Sequence, residues 1–97
     1  MPSRRERKFW PNQTINPMKV SILTPESSLY EGQAKAIIMP GLGGQFEVLD
    51  RHAPLISALS KGTIQLTDEK GEKHKFSIKN GFAEVLKNEV SILVRVL

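Results

Sequence analysis

After residue 17 the chain falls into short apolar runs, each closed by a turn signal after about 8–12 positions, and few folds accept such punctuation. Val20, Ile22 and Leu23 form one run, ended by Thr24-Pro25-Glu26-Ser27-Ser28, whose proline and hydroxyls favour a turn. Gln33 to Met39 is a second, with Ile37 and Ile38 adjacent, closed by Pro40-Gly41. Phe46 and Val48 share a face of the run from Gln45 to Leu49. Ile64 and Leu66 do the same in Thr63 to Thr67, and Phe76 and Ile78 in Lys75 to Lys79. The polar turn Asp68-Glu69-Lys70-Gly71-Glu72 joins those last two runs into a hairpin, its glycine supplying a positive φ. Asn80-Gly81 and Lys87-Asn88-Glu89 are two further turn signals. Leu55 to Leu59 fits either a strand or one helical turn. The fold class is therefore all-β, a small antiparallel sandwich or barrel.

The final run places Val90, Ile92, Val94 and Val96 on one face, with Leu93 and Leu97 on the other. A strand that is apolar on both faces is usually covered on both. In a domain of 97 residues the second cover is expected to be another chain.

Charge divides the chain in two. Residues 1–17 carry four Lys/Arg against one Asp/Glu, whereas residues 18–97 carry ten against nine, so the net +4 sits mainly in the opening segment. Residues 1–17 read as an irregular basic tail, bracketed by Pro2, Pro11 and Pro17. A nucleic-acid-binding β-barrel, the rival reading, needs a basic face on the folded body and exposed aromatics on adjacent strands. The body offers only Tyr30, Phe46, Phe76 and Phe82, and the three phenylalanines occupy core-like positions. There is no cysteine, hence no disulfide framework and no thiolate zinc site. No apolar run approaches the ~18 residues of a membrane span, and no secretory signal is expected at the N-terminus. Membrane contact, if made, is expected through a partner.

The segment Gly41 to Gly62 gathers glycines, a histidine before Ala53-Pro54 and an apolar run. A phosphate-binding P-loop needs Lys-Ser/Thr after its glycines and then a helix. Here Gln45-Phe46-Glu47 follows Gly44, so the glycines read as a tight exposed loop between strands. Asp50, His52 and Ser57 are the residue types of a hydrolytic triad, but no nucleophile elbow accompanies them. His52 and His74 are too few for a metal site of their own. Pro54 holds Ala53 extended and removes a backbone donor, making a stiff corner before Leu55, Ile56 and Leu59. No catalytic residue, cofactor or metal is expected.

Gly44 to Ile56, read as G-Q-F-E-V-L-D-R-H-A-P-L-I and followed by Leu59-x-x-Gly62, resembles the signature of the epsilon subunit of F-type ATP synthase, called delta in mitochondria. Thr24-Pro25, Leu29-Tyr30-x-Gly32, Pro40-Gly41 and Gly81-Phe82-Ala83-Glu84-Val85 fit the same pattern, which covers residues 18–97. The resemblance implies a β-sandwich of about ten short strands at the foot of the central stalk. It also implies a non-catalytic rotor role, gripping the gamma subunit and seating it on the membrane rotor ring to couple proton flow to ATP synthesis. By position, Thr24, His52 and Ser57 would face gamma. Adhesion would rest on Leu55 and Ile56, with Arg51 and His52 setting register. Gly43, Gly44 and Gln45 would face the ring. The implied location is peripheral, on the cytoplasmic face of a bacterial inner membrane or the matrix or stromal face of an organelle. Glu47, Asp50-Arg51 and Gln45 depart from residues common in the family. The sequence ends after the last strand, before the helical hairpin of many relatives, so no inhibitory or nucleotide-sensing role is expected of it.

Overall fold

The computed structural model describes residues 17–97; the rest of the basic opening segment, with Phe9 and Trp10, lies outside the described residues. Seven strands follow one another: β1 (Met18–Leu23), β2 (Ser28–Gly41), β3 (Gly44–Leu49), β4 (Leu55–Leu59), β5 (Gly62–Asp68), β6 (Lys73–Leu86) and β7 (Glu89–Val96). The all-β expectation holds, and the 55–59 segment is a strand.

The number of strands is lower than ten because two of them serve both layers. β2 and β6 are each 14 residues long. The first half of β2 pairs with β1, and the second half with β3 and β5. The first half of β6 pairs with β5, and the second half with β4 and β7. Register shifts mark both crossings, between Ala34 and Ala36 in β2 and between Ile78 and Asn80 in β6. Asn80-Gly81 is thus no turn. It is the bend at which β6 passes from one layer to the other, which is how strands make the corners of a sandwich. Every pairing is antiparallel except β1 with β7.

One layer is therefore β4, second-half β6, β7, β1 and first-half β2; the other is β3, second-half β2, β5 and first-half β6. Period-2 alternation buries one face of each. β1 contributes Val20 and Ile22, β2 Ile37 and Met39, β5 Ile64 and Leu66, and β7 Ile92 and Val94, all at most 3% exposed. Phe46 and Phe76 pack at the margin of this core. Phe82 does not: it is 62% exposed and points away from the core. Val96 likewise emerges at the end of β7, 46% exposed.

Two turns fix the ends. Lys87 and Asn88 both have positive φ, 51° and 62°, the two-residue primed turn whose twist suits an antiparallel hairpin. Asn88 also reaches the 50–52 corner: its Oδ1 accepts the Arg51 amide at 2.8 Å and its Nδ2 donates to Asp50 Oδ1 at 2.7 Å. At the β5–β6 turn, Asp68 Oδ1 accepts the Lys70 and Glu72 amides, each at 2.9 Å.

Candidate functional interface

The outer face of the five-stranded layer can be read row by row from its registers. Leu23 lies beside Leu93, Leu93 opposite Phe82, and Phe82 opposite Ala58. Leu42 joins the same row at its end, its amide donating to the Ala58 carbonyl at 3.2 Å. Ile56 stands beside it on β4, against Phe82 and Leu93. The result is an apolar stripe running across four strands. Leu42, Ile56, Phe82 and Leu93 are 72%, 75%, 62% and 58% exposed. Single exposed apolar side chains are ordinary on soluble proteins; a contiguous band rimmed by polar residues marks an interaction surface. Along it lies a groove of about 620 Å³ with Leu23, Pro25, Leu42, Phe82 and Leu93 in its walls.

The sequence-expected contact residues distribute around this stripe. Thr24 lines the groove, and its Oγ1 caps the following turn by accepting the Ser27 amide at 2.9 Å. Ile56 is on the stripe. Leu55 and Ser57, one residue to either side, point to the inner side of β4, and Leu55 packs against the core. His52 sits in the corner before β4, outside the stripe, with Nδ1 donating to the Ala53 carbonyl at 2.7 Å. Gly43, Gly44 and Gln45 are all exposed at the β2–β3 hairpin, next to Leu42. Gly44 needs to be glycine, since its φ is 130°.

Phe82, Leu93, Leu42 and Leu23 do not emerge as a set from the sequence. Leu93 carries a signal, being the apolar residue on the wrong face of β7. Phe82 is hidden by the apparent turn at Asn80-Gly81: restoring a continuous strand through 82–85 sets Phe82 on the face opposite to Ala83 and Val85, on the outside.

Hydrolysis finds no geometry here. A triad requires a base bonded to both nucleophile and acid. His52 bonds Ala53, the Ser57 hydroxyl donates to the Ala58 carbonyl at 3.1 Å, and Asp50 is held by Asn88. Base stacking is equally unsupported: Phe82 is an exposed aromatic among aliphatic neighbours, Tyr30 is half-buried with its hydroxyl donating to the Gln33 carbonyl at 2.8 Å, and the face carries Glu31 and Glu84.

Away from the stripe, Asp68, Glu72 and His74 bring ligand-type atoms within 4.8 Å of one another, a juxtaposition that counting histidines does not disclose. Hydrogen bonds account for it as a turn brace. His74 Nε2 donates to Asp68 Oδ2 at 2.9 Å while the two amides occupy Oδ1. That imidazole bond holds the Asp68 carboxyl below its ordinary range, against the opposing effect of desolvation and with help from the Glu72 and Lys70 amides. The Tyr30 ring leans on His74 at 5.4 Å, and burial, followed by the charges of Asp68 and Glu69, pushes its phenol up.

Residues 17–97 match the family described as "ATP synthase, Delta/Epsilon chain, beta-sandwich domain". The chain belongs to that family. It is 43% identical over 81 residues to the ATP synthase epsilon chain of Leptospira interrogans (serogroup Icterohaemorrhagiae, serovar copenhageni), covering 82% of this chain and 62% of the relative. The epsilon chain of Helicobacter pylori strain Shi470 is 38% identical over 78% of this chain and 61% of its own length. The chloroplastic epsilon chain of Tetradesmus obliquus is 43% identical over 78% and 55%. The chain thus spans about three-fifths of the length of the bacterial relatives it matches. Among solved structures, the fold is shared with a chain of the Euglena gracilis mitochondrial ATP synthase at TM-score 0.75, with 22% identity over 84% of this chain and 54% of that one. It is also shared with one in the central stalk and ring of the Tetrahymena thermophila enzyme at TM-score 0.71, with 16% identity over 82% and 64%.

Proposed function

We propose that this delta/epsilon-family domain is a non-catalytic rotor piece of an F-type, proton-translocating ATP synthase, gripping the gamma subunit and seating it on the membrane rotor ring. The observation that carries the reading is the apolar stripe Leu23–Leu93–Phe82–Ala58 with Leu42 and Ile56, a contiguous band that no other described residue covers. A coupling joint must hold without slipping. An exposed ion pair contributes only about 0–1 kcal/mol, whereas burying a Leu, Ile or Phe side chain contributes about 1.5–3 kcal/mol in gross terms. Several such groups side by side supply grip before association costs are subtracted.

In this reading Thr24 and Ile56 meet gamma from the stripe, and His52, Leu55 and Ser57 from the adjoining corner and edge of β4. Gly43, Gly44 and Gln45 face the ring, whose membrane position makes this domain peripheral to the membrane, on the cytoplasmic face in a bacterium or the matrix or stromal face in an organelle. Support comes from the family membership, from the resemblance of the residues around His52-Ala53-Pro54 to the family signature, and from a hairpin tip that adjoins the stripe through Leu42.

The test is co-purification with the gamma subunit of the same synthase. Ile56→Asp places a charge on the stripe while leaving the core intact, and it is expected to abolish the complex. Recovery of gamma with Ile56→Asp at wild-type yield overturns the proposal.

A further inference from the structure

Charges of opposite sign flank the stripe, two glutamates in the row that also holds Ile56 and one arginine on the other side. One row toward the start of β7, Glu84 lies opposite Ser91, Ser91 beside Ser21, and Ser21 opposite Glu31. One row the other way, Arg95 lies opposite Asn80. Glu31, Glu84 and Arg95 are all exposed, and among the described residues none of them forms an ion pair. Glu84 and the Arg95 partner Asn80 are separated by four residues along β6, about 13 Å at ~3.3 Å per residue. The apolar row occupies the space between.

Resting on the reading that gamma covers this face, we infer that the stripe takes an apolar ridge of gamma in one polarity only. The ridge presents a cationic side chain on the Glu84–Glu31 side and an anionic one on the Arg95 side. The physical reason lies in what an apolar contact leaves undetermined. Burial of Leu93, Phe82 and Ile56 is non-directional, and a ridge turned end for end would bury similar area. Charges of opposite sign on the two sides make one of those placements attractive and the other repulsive, so they select orientation and speed encounter more than they add affinity. A rotor joint needs that selection, because torque is transmitted only by one fixed relative orientation.

The experiment is the association rate of the 97-residue chain with isolated gamma, at about 0.01 M and about 1 M salt, where the Debye length is ~30 and ~3 Å. Glu84→Lys and Arg95→Glu are exposed replacements, and circular dichroism verifies that both stay folded. Each is expected to slow association at low salt by about tenfold and to approach the wild-type rate at high salt. A wild-type rate at low salt for either variant overturns the inference while leaving the gamma reading intact. Absence of any complex with the unaltered chain removes the gamma reading itself. Sedimentation of the chain alone covers the other occupant: self-association that Phe82→Ser abolishes would assign the stripe to a second copy and overturn the inference.

Discussion

Gly81 and Leu93 meet across β6 and β7 more closely than any side chain would allow. A Cβ placed on Gly81 falls against the Leu93 carbonyl oxygen and lies 2.9 Å from Val94 Cγ1. This close approach lies just past the register shift between Ile78 and Asn80 where β6 changes layers, and the neighbouring Phe82 and Leu93 side chains are exposed on the outer face. The glycine of an apparent turn is the residue that makes the corner of the sandwich.

Gly81→Ala is therefore expected to destabilise the domain by about 1–3 kcal/mol, the usual range for forcing extra atoms into a packed site. Gly43 is the matched control, because a methyl group there would meet nothing within 4 Å and its φ is not positive. Gly43→Ala should stay within about 0.5 kcal/mol of wild type. Urea midpoints for the two variants check the contrast, and equal midpoints would remove the steric account of the bend.

Adjacent residues of β7 provide a sharper test of which face is core. Ile92 is fully buried and Leu93 is 58% exposed. Ile92→Ala should cost about 2–5 kcal/mol, enough to unfold a small domain near room temperature. Leu93→Ala should cost less than about 1 kcal/mol and yet weaken gamma binding. Thermal melts paired with a gamma pull-down separate the two. A Leu93→Ala protein that unfolds as readily as Ile92→Ala would mean the stripe is structural.

Alternation makes most of this fold legible in advance. Ile64 and Leu66 against Phe76 and Ile78, with a polar turn between, define a hairpin from spacing alone. The bends are not legible, because Asn80-Gly81 has the same local chemistry whether it closes a hairpin or lets a long strand change layers. Only the partners distinguish them: β5 before the bend, β4 and β7 after it. That one ambiguity conceals the outer face, since it detaches Phe82 from its period. The parallel pairing of β1 with β7 is out of reach for a similar reason, as neither strand's residues specify a neighbour so distant in sequence. His52, Ile56 and the Gly43-Gly44 loop stand out through the family signature. Periodicity alone points to Leu93.

The 50–52 corner that carries His52 is tied to the β6–β7 turn through Asn88. Asn88→Gly keeps a residue suited to positive φ and deletes the side chain. The domain should remain folded, while the Arg51 amide loses its acceptor. Amide hydrogen exchange at Arg51 should accelerate about five- to tenfold, the equivalent of one net hydrogen bond. Unchanged exchange would show that the corner holds its shape without the tether.

The Asp68 brace predicts how stability responds to acid. The His74 hydrogen bond, aided by the Glu72 and Lys70 amides, favours the ionised carboxyl and lowers its folded pKa. A depressed folded value means the unfolded chain binds the proton more readily, so the contribution is fully present above the unfolded pKa of about 3.9. It is lost as pH falls through the folded value. Asp68→Asn lacks that titration. The wild-type melting temperature should exceed that of Asp68→Asn at neutral pH, and the gap should close as pH is lowered from about 5 toward about 2. Since His74 and Tyr30 remain in both proteins, the difference between the two curves isolates the carboxyl and its hydrogen bonds. Parallel curves across that interval would show that the brace contributes nothing through its charge.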